Sequence, residues 1–216
     1  MNASGADGEE SSPAAPGGDA AAPDMAALAG LVEQLGMTPA PLGSAARKQV
    51  NTARTAIRRV MRQADVLPES MFETVVRAGI YEQDPSLCGL LFINPAINSY
   101  GVQRVVAALL GYLCDGTNRE KAGAARAWYW AERAVTHSAE RESLADLLAA
   151  WREALLREFM SNEDLSVRLW TMSMLSLTAE RYPARLRPLV AEAARIGRAH
   201  PDERIRRATE IHIRDM

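Results

Sequence analysis

The sequence predicts an all-α protein built from about four repeated helix pairs behind an acidic N-terminal tail. Three observations carry that prediction. Ala and Leu abound while Phe, Tyr and Trp make up only 6% of the chain, a bias toward helices over sheets. No stretch sustains the period-two alternation of a half-buried strand. And "NEDLSVRLWTMSML", starting at Asn162, is restated as "HPDERIRRATEIHI", starting at His200.

Taken in order, residues 1–23 are Ala, Gly, Pro, Ser and acids with no large apolar side chain after Met1. Such a tract cannot bury enough surface to offset its ordering entropy, so disorder is expected there. Residues 24–43 read as a short helix, capped by Asp24 and closed by Gly36, followed by the linker "MTPAPLG". The helical repeat domain is expected over 44–216.

Its first helix, 44–64, sets Val50, Ala53, Ile57, Val60 and Ala64 on one stripe and Arg47, Arg54, Arg58 and Arg62 on another. "DPSLCGLLFIN" opens with Asp84 as a cap and Pro85 at the first helical position, and "NPAIN" reads as punctuation. "SYGVQRVVAALLGYLCDG" places Val102, Val105, Val106, Leu109 and Leu113 on one face. Thr117 and Glu120 have capping-box spacing. A stripe of Leu144, Leu147, Leu148, Trp151, Leu155 and Phe159 marks the next helix, and Ser161 with Asp164 opens the one over 163–179. That helix carries two apolar stripes, Leu165-Leu169-Met172-Leu175 and Val167-Trp170-Met174-Leu177, so it needs cover on several sides.

Turn–helix units therefore begin near Asp84, Asn118, Asn162 and His200, the period of an α-solenoid whose pairs shield one another. The acidic turn followed by Val167-Arg168, and again by Ile205-Arg206, resembles the HEAT-repeat family, with the armadillo type as a near relative. "NREKAGAARAWYWA" fits less closely, with Gly123-Ala124 where Val-Arg is expected. The resemblance implies a curved stack whose concave face grips a protein or nucleic acid, and it makes Val167, Arg168, Ile205 and Arg206 packing residues. Members of this family generally lack catalytic residues.

The residues themselves point the same way. No Walker A, G-x-G-x-x-G, G-x-S-x-G or H-E-x-x-H sequence occurs. Of the three histidines, His137 and His200 fall in turns, where a solvated role is expected, and His212 shares a face with Ile205 and Ala208. Cys88 and Cys114 lie in apolar helical stretches and read as buried free thiols, with no disulfide or zinc pattern. Paired acids at helix starts, such as Glu163 and Asp164, are explained by the helix dipole. No metal, cofactor or catalytic residue is expected. With no signal segment and no long apolar run, a cytoplasmic chain without a membrane span is expected.

Recognition residues come from two places. Trp128, Tyr129 and Trp130 are consecutive, about 100° apart on a helix, so at least one must reach the surface. Trp128 and Trp130 are the candidate anchors for a protein partner. Arg47, Arg54, Arg58 and Arg62 supply charge: residues 44–64 carry six bases and no acid, against six acids and no base in 1–43. That helix could track phosphates, with steep salt dependence, or attract the chain's own tail. A third class is implied by a branch of HEAT-like proteins, the alkylpurine DNA glycosylases, which hold a damaged nucleotide with aromatic residues and a carboxylate. Trp128 and Glu132, with Trp170 in a later repeat, form a comparable set, although a Glu stands where an Asp is expected.

Overall fold

The structure is a computed structural model and describes residues 28, 30–34, 54–55, 57–61, 66–137 and 142–214. Among these residues every regular element is helical and there is no strand. The expected disorder of 1–23, the linker, and Arg47 and Arg62 lie outside the described residues.

Short helical pieces at 28, 30–34, 54–55 and 57–61 bury Leu28, Leu31, Val32 and Ile57. A 3-10 turn, Glu69–Met71, leads into α1, Phe72–Tyr81, whose buried face is Phe72, Val75, Val76 and Ile80. Asp84 accepts from the backbone N–H groups of Ser86 and Leu87, and Pro85 takes the first helical position, as expected. The chain then departs from expectation. "NPAIN" is no break: one unbroken helical stretch, α2, runs over 85–100, with a π-helical segment Cys88–Ile93 in its middle. Pro95 brings no N–H into the turn before it, and the wider π register just ahead lets the helix continue. Gly101, at φ 83°, turns the chain into the next helix; only glycine adopts that conformation without cost.

Three helix pairs follow: α3, Val102–Asp115, with α4, Asn118–His137; α5, Ala145–Ser161, with α6, Leu165–Met174; and α7, Arg187–Arg198, with α8, Glu203–Arg214. Within each pair the two helices pack on each other. Between pairs, α3 packs on α5 and α5 on α7, while α4 packs on α6 and α6 on α8. The α1 helix lies against α4. Gly123 permits that last approach, because a Cβ there would fall 2.2 Å from the carbonyl oxygen of Ile80.

The two restated segments are built alike down to single bonds. Asn162 Oδ1 accepts from the N–H of Asp164 at 2.9 Å; His200 Nδ1 accepts from the N–H of Asp202 at 3.0 Å. Arg168 Nε donates back to the carbonyl of Asn162, and Arg206 Nη1 donates to that of His200 at 2.7 Å. Thr171 and Thr209, both fully buried, donate to the carbonyls of Val167 and Ile205, each at 2.8 Å. Asn162 Nδ2 also reaches Asn118 Oδ1 at 3.0 Å, tying the start of one turn–helix unit to the next.

Several finer expectations are corrected. His200 is buried rather than solvated, because its ring caps the turn. Cys114 is exposed, since it faces away from the stripe that Leu109 and Leu113 bury. Ser161 ends α5, donating to the carbonyl of Arg157, and Asp164 alone caps α6. The α6 helix stops at Met174; Leu175 and Leu177 are buried from extended backbone, with the N–H of Leu177 donating to the carbonyl of His212. The Thr117–Glu120 capping box forms as read: the N–H of Thr117 donates to Glu120 Oε2 at 3.0 Å and that of Glu120 to Thr117 Oγ1 at 3.3 Å.

Candidate binding cleft

The consecutive aromatics of α4 divide as helical geometry requires. Trp128 is buried and stacks on Trp151 of α5, with ring centroids 4.4 Å apart and 21° between planes. Trp130 is half-buried, lies over Gly89 of the π segment and donates its Nε1 hydrogen to the carbonyl of Pro85 at 2.8 Å. Tyr129 is the ring that reaches solvent, at 47% exposure.

The basic helix is only partly described. Arg54 is paired with the buried carboxylate of Glu82, its Nε donating to Oε2 at 2.8 Å. Arg58 is half-buried, and its Nε hydrogen is buried without a hydrogen-bond partner. Of the described arginines there, Arg59 is the exposed one. Two of the four expected charges therefore face inward or into an ion pair, and the structure does not join them to Trp128 or Trp130.

What the fold does assemble is a cleft of about 170 Å³ where the C-terminal half of α4, the first half of α5 and the segment after α6 meet. Trp128 and Trp151 supply its aromatic wall, and Val135, Leu148, Leu155 and Met174 its other apolar contacts. Glu132, Arg152, Arg181 and Tyr182 bring polar groups into the same space. Trp128, Glu132, Val135 and Thr136 reach the cleft together because positions three, four and seven apart share one helix face.

The electrostatics of the cleft are unusual for the molecule. Glu132 is exposed on its outer side, yet the surrounding wall removes enough water that burial pushes its carboxyl up; the charge of Arg152 opposes the rise. The Glu132 carboxylate accepts no hydrogen bond within the described residues, and Arg152 makes neither a hydrogen bond nor an ion pair there. Burial likewise pushes the Tyr182 phenol up, again against Arg152. Trp151 is fully buried with its indole N–H lacking any hydrogen-bond partner. Glu132 and Arg152 are both exposed, so water meets their polar groups, while the Trp151 N–H has essentially no accessible surface.

Sequence reasoning brought Trp128 and Glu132 together and the structure keeps them together. Trp170, the third member of that set, does not line the cleft; the Arg126 guanidinium sits 5.4 Å from its ring centre. Trp151, Arg152 and Tyr182 were not anticipated as site residues. Trp151 sits on an apolar stripe that reads as core, and nothing local in "AAWREALL" or "ERYPAR" marks the others.

Among the described residues no group of three or more His, Cys, Asp and Glu side chains could hold a metal, and no helix is long and apolar enough to cross a membrane. Comparison with family models, with curated proteins and with solved structures gives no match to this chain.

Proposed function

We propose that the chain is a HEAT-like α-solenoid that works as a non-enzymatic, cytoplasmic binding module, gripping another protein through the cleft beside Trp128 and Glu132. The solenoid reading is supported by the order of packing, in which first helices meet first helices and second helices meet second helices along the chain. The binding reading rests on one observation: a concave, aromatic-walled space to which Glu132 and Arg152 bring charged groups that make no hydrogen bond or ion pair with one another. Binding sites are concave, mostly apolar and carry a few converging polar groups. The volume decides what kind of occupant fits. At about 170 Å³ the cleft is below the roughly 300–1,000 Å³ of small-molecule and cofactor pockets, and suits one side chain of a larger partner.

Affinity capture from native lysate, with and without nuclease, tests this, using the full chain and its Glu132→Ala/Arg152→Ala variant. The expected result is a protein captured despite nuclease and lost with the variant at unchanged helicity. Capture that vanishes with nuclease, or ignores the variant, contradicts the reading.

A second reading is favoured by the meeting of Trp128 with Glu132, whose carboxyl is raised. In it the same cleft holds an alkylated base, as in the HEAT-like DNA glycosylases. Release of alkylated base from DNA, abolished by Glu132→Gln, would establish it. Phosphate tracking by the basic helix has less support, because Arg54 is already committed to Glu82.

A further inference from the structure

We propose that the cleft receives an acidic side chain, the carboxylate of an aspartate or glutamate presented by the bound protein. The inference rests on the reading of the cleft as a protein-binding surface and names the chemistry it selects.

Charge sets the requirement. Among the described residues the cleft is lined by Glu132 from α4, Arg152 from α5 and Arg181 from the segment after α6, so two guanidiniums face one carboxylate. All three charges act on the Tyr182 phenol, which is buried in the cleft wall, and Arg152 acts on Glu132 as well. Glu132, Arg152 and Arg181 are exposed and hydrated in the free protein. Selection therefore comes from the sign and size of the charge that enters, not from any group left without a partner.

The alternatives match that charge less well. An ammonium adds a third cation to two guanidiniums that only one carboxylate balances. A neutral amide gains nothing from the surplus of positive charge. A phosphoryl group carries about −1.5 to −2 at neutral pH, more than one surplus guanidinium offsets, and sets the remainder beside Glu132. A carboxylate brings one negative charge and two oxygens that a guanidinium can bind as a fork. Its short apolar stem suits the wall formed by Val135, Leu148 and Leu155.

The like charge of Glu132 is the one obstacle, and the fold already weakens it. Burial pushes that carboxyl up against the opposing charge of Arg152, and a second carboxylate beside it pushes further the same way. Glu132 therefore takes up a proton as the acid enters, and its O–H becomes a donor to the newcomer. By linkage, binding strengthens as pH falls toward the raised value, while the entering carboxyl, ordinarily at about 4, stays ionised. Glutamine at position 132 imitates the protonated acid, with a neutral N–H donor; alanine supplies none.

Backbone ¹H–¹⁵N NMR of the full-length protein reads the test, with N-acetyl-glutamate-N-methylamide and its glutamine, lysine and phosphoserine counterparts as probes. The glutamate compound should move the amides around Arg152, Ser176 and Tyr182. At pH 6 it should bind at least about threefold tighter than each of the others, the difference one exposed ion pair makes. Its affinity should fall between pH 6 and pH 8, stay level over that range in Glu132→Gln, and lose its advantage in Arg152→Gln. Both substitutions are at exposed positions, and unchanged helicity confirms their folds. Equal or tighter binding of another probe, a pH dependence that survives Glu132→Gln, an advantage that survives Arg152→Gln, or amides unmoved by all four overturns the proposal. The protein-binding reading is judged separately: capture lost in the Glu132→Ala/Arg152→Ala variant keeps it even if the titration is silent, and capture indifferent to that variant removes it whatever the titration gives.

Discussion

Replacing Gly197 with Ala should destabilise the protein even though alanine is the better helix former. Gly197 lies in the last turn of α7, where α8 passes close by. A Cβ at this position would sit 2.2 Å from Thr209 Oγ1, 2.9 Å from its Cγ2 and 3.1 Å from its Cβ. Ordinary carbon contacts are about 3.5–4.0 Å, so the helices must separate by roughly 1 Å or the threonine must turn. Turning is blocked, because Thr209 is fully buried and its hydroxyl is bonded to the carbonyl of Ile205 at 2.8 Å. Overpacking of this kind costs about 1–3 kcal/mol, against about 0.5–1 kcal/mol gained by removing a helical glycine. A net loss of about 1–2 kcal/mol is expected in urea melts followed at 222 nm, with an unchanged m-value. Thr209→Ala deletes the two closest atoms and leaves only the 3.1 Å contact. The double variant should therefore be more stable than the two single losses predict, by at least about 1 kcal/mol of coupling. A stabilising Gly197→Ala, or additive losses in the double variant, would refute the close α7–α8 contact.

The same contacts and charges make further outcomes specific. Arg168→Ala and Arg206→Ala should each cost about 1–2 kcal/mol in urea melts, since each removes a charged donor from carbonyls at the preceding turn. Glu132→Gln should leave the fold slightly more stable at neutral pH, by no more than about 0.5 kcal/mol at so exposed a position. The raised carboxyl binds its proton more tightly when folded, so its contribution is favourable at low pH and is lost as pH climbs from about 4.3 through the raised folded value. Thermal melts of both proteins should accordingly converge near pH 4 and separate above it. Native protein should react with a thiol reagent at Cys114 alone, and slowly, because burial and the nearby Asp115 push that thiol up. Cys88, buried and pushed up to about 12, should react only after unfolding, as mass spectrometry of the labelled peptides can show.

Much of the fold was legible because local chemistry and long-range packing agree in the last third of the chain. The Asp-x-x-Val-Arg and Asp-x-x-Ile-Arg segments announce a cap, a buried β-branched residue and an arginine that folds back, and the structure uses them so. Errors came where tertiary contacts override a local signal. Pro95 reads as a break, but the π segment before it absorbs the missing donor. Leu175 and Leu177 continue a helical stripe on paper, yet extended backbone buries them equally well. The site was legible only in part: Trp128 and Glu132 belong to one helix and show their spacing, whereas Arg152 and Tyr182 arrive from other elements. The prominence of Trp130 misleads for a related reason, since Gly89, forty-one positions earlier, is what makes room for its ring.

The claim that matters most is that recognition happens at the α4–α5 cleft. Hydrogen–deuterium exchange of the full chain, free and saturated with its captured partner, tests it directly. Slowed exchange should concentrate in 128–136, 148–155 and 174–182, the three segments that line the cleft. Slowing confined to the surface around Leu90 and Tyr129, or to the basic helix at 54–61, with the cleft unchanged, would contradict it.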